Sequence, residues 1–140
     1  MLILASMLLA SAVPGPSTSY LMNDDYKHQW LQISAEAKGT MWIDLNWRKT
    51  YKYEDIDYPS ILIRTELKKE GTPFQIGEFA LAVDCKGKSM AIHDAWGEDY
   101  ADGALYSRPK GPLEFSFGTE PFDYIDKFLY KHACGPDWTP

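Results

Sequence analysis

The sequence is short of the residues that catalysis and metal binding draw on. It holds two cysteines and three histidines in 140 residues. His28, His93 and His132 show no pair at metal-ligand spacing on one element, and Cys85 and Cys134 form no Cys-x-x-Cys. Neither a Gly-x-Ser-x-Gly elbow nor a His-Glu-x-x-His helix occurs. Folding could bring a nucleophile and base such as Ser107 and His93 together, but no motif singles them out, so no catalytic residue is expected. Basic tracts are missing too. The formal charge is -6, which argues against nucleic acid and against anionic lipid, because both need clustered Lys and Arg. No apolar run reaches the roughly 20 residues that a membrane-spanning helix requires, so no transmembrane segment is expected.

What the chain does have is material for one core. Apolar residues make up 45% and aromatics 14%, and this length suits a single domain. Met1 to Ala12 is uncharged, apolar and ends in Ala10-Ser11-Ala12, before the helix-breaking Val13-Pro14-Gly15-Pro16. That is the pattern of a signal peptide and its cleavage site, so export to the periplasm or beyond is expected. No Cys adjoins the cleavage site, so no lipid anchor is expected. Residues 13–29 read as a flexible lead-in, 30–135 as the domain and 136–140 as a tail.

Within the domain, short alternating runs dominate. Trp30 to Ser34 and Thr40 to Trp47 alternate with period two and are joined by a turn ending at Gly39, which predicts a hairpin. Arg48 to Tyr58 is polar and tyrosine-rich, and Pro59 closes it. Ser60 to Leu67, Ile76 to Cys85 and Ser89 to His93 resume the alternation across the turns at Gly71 and Gly87, as in an antiparallel meander. Asp94 to Gly103 reads as an acidic, aromatic loop. Short strands are expected at Ala104 to Ser107 and Leu113 to Phe117. Thr119-Glu120-Pro121 then opens a helix with acidic Asp123 and Asp126 in its early turns. Phe122, Ile125, Phe128, Leu129 and Ala133 recur at helical spacing, and Gly135-Pro136 ends it. The fold class is therefore α+β, an antiparallel sheet of about six strands with one C-terminal helix on a face.

Three groups could carry a role. In an exported chain, two cysteines and no third favour a Cys85–Cys134 bridge; a metal site or a reactive thiol finds no supporting pattern. Asp94, Glu98, Asp99 and Asp102 offer oxygens, but Ca²⁺ loops alternate Asp or Asn positions and close with Glu. A solvated loop fits better, and neither metal nor cofactor is expected. The candidate binding surface comprises Tyr51, Tyr53 and Tyr58 with Trp42, and Trp96, Asp99, Tyr100 and Asp102 from the acidic stretch. Tyr and Trp supply contact area at low ordering cost. The same aromatics could equally pack on the sheet.

The Trp-led first strand, the strand ending at Asp84-Cys85, the turn Tyr100-Ala101-Asp102-Gly103 and a last helix ending at Cys134 together resemble the bacterial surface-adhesin protein E family over about Trp30 to Cys134. The resemblance implies an antiparallel sheet with a disulfide-tied C-terminal helix, and binding of host matrix and plasma proteins. This chain departs from the family in lacking a lipid-anchor Cys and a lysine-rich segment. The expectation is a non-enzymatic, exported binding protein with a protein partner, and an edge strand that could pair two copies. The alternative is a small secreted inhibitor or immunity-type protein that meets a basic enzyme through its acidic charge.

Overall fold

Alternating apolar residues build one antiparallel sheet whose two faces are both buried over much of their area. A computed structural model describes residues 27–99, 105–107 and 111–140. The expected signal peptide, the lead-in up to residue 26, and Tyr100 and Asp102 lie outside the described residues. The strands are β1 (Trp30–Glu36), β2 (Gly39–Asp44), β3 (Lys49–Tyr53), β4 (Ile56–Lys69), β5 (Thr72–Asp84), β6 (Ser89–Asp99) and β7 (Leu105–Ser107), followed by helix α1 (Tyr124–Cys134). Their order is β1-β2-β4-β5-β6-β7, with β3 also on β4. β2 pairs with Ile63 to Leu67 of β4, and β3 pairs with Ile56 to Ser60. The two short strands therefore follow one another along a single edge of β4.

Several boundaries differ from expectation, each for a local reason. The stretch expected as a polar segment, Arg48 to Tyr58, is largely a hairpin. Its turn residues Glu54 and Asp55 both have positive φ, 49° and 64°, the backbone of a two-residue hairpin turn. Pro59 does not end a loop but lies within β4, just beyond the last register pair with β5, Ser60↔Ala82, where a missing N–H interrupts no rung of that ladder. The expected acidic loop is strand as far as Asp99, because β6 stays paired to β5 up to Gln75↔Asp99. Leu113 to Phe117 forms only one bridge, Met90↔Phe117. The helix starts at Tyr124 rather than at Pro121, because Asp123 caps it and exchanges hydrogen bonds with Asp126 in a capping box.

On one face, α1 covers Ile43, Ile61, Ile63, Leu81, Val83 and Met90. Cys85 at the end of β5 bonds Cys134 at the end of α1, with Cα atoms 5.9 Å apart. The residues expected as a tail fold back beside this bond. Trp138 is buried, donates from Nε1 to the Cys85 carbonyl at 3.1 Å, and stacks on Tyr130 at 4.2 Å. Tyr130 is fully buried, and its hydroxyl donates to the Gly118 carbonyl at 2.6 Å. Gly118 has φ +63°, and a Cβ there would sit 3.2 Å from both Met90 Cε and Tyr130 Oη. Both the backbone angle and the close approach call for glycine.

The opposite face holds a second core of Trp30, Trp42, Trp47, Leu62 and Ala80. Cross-strand register sets Trp42, Arg64, Glu78 and Trp96 in one row. Arg64 and Glu78 are buried, 1% and 0% exposed, with Nη1 and Oε1 3.9 Å apart, and the guanidinium lies 5.3 Å over the Trp30 ring. Removing one member of such a pair leaves a buried charge uncompensated, whereas removing both does not. Urea denaturation should therefore show Glu78→Leu losing roughly 3–5 kcal/mol, and the double variant Arg64→Met/Glu78→Leu losing less than that single change. A double variant weaker than Glu78→Leu would contradict this role.

Candidate binding surface

The β3–β4 hairpin gathers the tyrosines. Register sets Tyr51 opposite Tyr58 and Tyr53 opposite Ile56. The Tyr51 ring stacks on His93 at 4.1 Å, and Tyr58 meets Phe115 at 5.1 Å in a tilted contact. All three tyrosines are half-buried, and Ile56 is 52% exposed. The hairpin thus offers an apolar, ring-rich surface with a firm backing. Lys52 and Asp57 lie 3.8 Å apart across its exposed side, a contact that solvent screens.

His93 owes its place to a β-bulge. Leu81 pairs with Ile92 and Ala80 with Asp94, so His93 is the extra residue, and a bulge re-aims the side chain it carries. Its Nε2 lies 2.8 Å from Ser60 Oγ, which also accepts from Trp47 Nε1 at 3.1 Å. The composition resembles a nucleophile and base, but the setting does not favour proton transfer. Ser60 is buried, and the Tyr51 ring covers one face of the imidazole. Burial pushes the His93 pKa down from 6.5 to about 4, against the opposing pull of Asp94. A ring so hard to protonate is a weak base at neutral pH. What the trio Trp47–Ser60–His93 provides is a fixed seat for Tyr51.

A second polar knot orders the entry to β1. Asp44, fully buried, accepts from His28 Nδ1 at 2.6 Å, from the Gln29 N–H at 2.9 Å and from the Asn46 N–H at 3.0 Å. His28 stacks on Trp30 at 4.9 Å. Residues 27–29, expected in the flexible lead-in, are thereby tied to the sheet.

The structure brings together only part of the expected surface. Trp42 is 3% exposed and belongs to the second core, so it offers no ring to a partner. Trp96 is half-buried at the far side of the row through Glu78. Asp99 pairs with Gln75, which itself pairs with Leu67. Tyr58 and Leu67 are separated along β4 by roughly 30 Å at the usual strand rise, so the tyrosine hairpin and the Asp99 end lie apart. Ser107 is in β7, away from the register of His93. Ile56, Phe115 and the bulged His93 were not foreseen as members of the surface. An isoleucine beside a turn carries no distinguishing signal, and a bulge needs the partner strand to define it. Among the described residues no cluster of His, Cys, Asp and Glu is arranged to hold a metal ion.

A comparison of the chain with protein-family models, with curated proteins and with solved structures returned no match.

The pH dependence of stability follows from the histidines. The unfolded chain takes up a proton near 6.5, whereas folded His93 resists until about 4, so its contribution is intact above 6.5 and is lost as the pH falls toward 4. His132 is lowered too, by burial and then by Arg48, against Asp44. Denaturation midpoints measured from pH 7 to 4.5 should fall more steeply for the wild type than for His93→Gln. Equal slopes would show that His93 is not held neutral.

Proposed function

We propose that this chain is an exported, non-enzymatic binding protein of the bacterial envelope, similar in plan to the surface-adhesin protein E family, which engages a protein partner through its tyrosine hairpin. The observation that carries the reading is the pairing of Tyr51 with Tyr58 at an exposed hairpin, backed by His93 and Phe115 and bordered by the exposed Ile56. Rings held in place before contact lose little freedom on binding, which is the property of interface anchors. The low basicity of His93 and the burial of Ser60 favour binding over catalysis. The Cys85–Cys134 bond favours an oxidising compartment. Among the described residues, no helix is long and apolar enough to cross a membrane.

The net charge of -6 favours a second reading, an inhibitor or immunity-type protein for a basic enzyme. Salt separates the two, since contacts between exposed charges weaken as ionic strength rises. Purified protein should be presented to immobilised matrix and plasma proteins and to envelope extract, at low and high salt, beside Tyr51→Ala/Ile56→Asp. The expected result is a partner retained at high salt and lost, by about a hundredfold in affinity or more, in the double variant. A partner released by salt and indifferent to the double variant would favour the inhibitor reading and contradict the hairpin.

A further inference from the structure

On the helix-bearing face, α1 leaves an open cleft of about 350 Å³, at the small end of the roughly 300–1,000 Å³ range of ligand sites. Well-packed interiors leave few voids larger than a water molecule. The floor is Met41, Ile63, Phe79 and Ile92, one from each of β2, β4, β5 and β6, and the wall is Ile125 and Leu129 of α1. The cleft follows from how the helix is held. Its C-terminal end is fixed by the disulfide and by Tyr130 and Trp138, which fill the space beneath it. Toward its start, the partly buried Ile125 packs against the same core and forms one wall of the cleft. Phe117, 46% exposed, forms part of the lining and is anchored by paired backbone bonds to Met90 of 2.8 and 3.0 Å.

The charge on this lining has one sign. Asp123 and Asp126 contribute to it, and no Lys, Arg or His among the described residues does. Asp123 Oδ1 accepts from the Asp126 N–H at 2.7 Å and Asp126 Oδ2 from the Asp123 N–H at 3.2 Å. The two carboxyl groups also lie close enough to interact with each other directly. The positive end of the helix dipole, about +0.5 charge, offsets less than one of the two carboxylates. Burial pushes the Asp126 carboxyl up, a penalty that a neighbouring cation would relieve.

We propose that this cleft binds an amphiphilic organic cation, with its short apolar chain against Met41, Ile63 and Phe79 and its ammonium group at Asp123 and Asp126. The two methionines of the lining, Met41 and Met90, suit chains of varied shape, because Met adapts its rotamers at little cost. The site lies on the face opposite Ser60 and His93, so it stands or falls independently of the tyrosine hairpin.

Isothermal titration of the oxidised, full-length protein with octylammonium, octanoate and octanol, all below micelle formation, tests the proposal. Octylammonium should bind saturably and about tenfold more tightly than octanoate. Asp126→Asn should reduce that preference while octanol binding persists. Thr65→Trp, at a half-buried position lining the cleft, should abolish binding of all three. Absence of saturable binding, equal affinity for octylammonium and octanoate, or binding that survives Thr65→Trp would overturn the proposal. A dimer in sedimentation that excludes all three probes would also overturn it, in favour of a second copy as the occupant.

Discussion

The bond between Cys85 and Cys134 is the constraint on which the placement of helix α1 against the sheet depends. It joins the end of β5 to the end of α1 across 49 residues of sequence. Closing a loop of that size removes about 4 kcal/mol of freedom from the unfolded chain in the chain-entropy account. Against a typical net stability of roughly 5–15 kcal/mol, that is a large share. Helix α1 has 11 residues, too few to be stable alone in water. Within it only Leu129 and Tyr130 are buried, so its place on the sheet rests on the clamp at its C-terminal end. Trp138 and Tyr130 extend the clamp by stacking beside the bond, with hydrogen bonds to Cys85 and Gly118.

This one-ended attachment explains how the two faces of the sheet differ. On the helix face, packing is dense beside the disulfide and opens toward Asp123, where the apolar cleft lies. Tyr124 and Phe128, on the same early turns, are 67% and 38% exposed. On the other face, order comes from cross-strand rows instead. The Arg64–Glu78 pair between Trp42 and Trp96 fixes the middle, and the Trp47–Ser60–His93 link fixes the end that bears the tyrosine hairpin. Neither surface borrows residues from the other.

The parts of this arrangement that were legible in the sequence are those fixed by composition and period. Two cysteines without a third left one intrachain pairing to consider, and the helix showed in the spacing of Ile125, Leu129 and Ala133. What escaped was set by partners distant in sequence. Leu62 and Arg64 alternate with Ile61 and Ile63 as a wet face would, and alternation alone cannot tell that the second face is covered. The hairpin at Glu54-Asp55 was hidden because its turn carries positive φ on residues other than Gly or Asn. The acidic residues from Asp94 to Asp99 suggested a loop, whereas pairing with β5 holds them in β6. Tyr130 fell outside the expected helix face, since its burial depends on Trp138, beyond the helix end.

The central claim, that α1 is held to the sheet chiefly at its disulfide end, can be tested by amide hydrogen exchange on the oxidised and the reduced protein under native conditions. Reduction should speed exchange throughout Tyr124 to Cys134 by about a hundredfold or more, while amides of β4 and β5, paired from Ser60↔Ala82 to Lys69↔Thr72, stay protected. Unchanged protection of the helix after reduction, or simultaneous loss of protection in helix and sheet, would contradict the account.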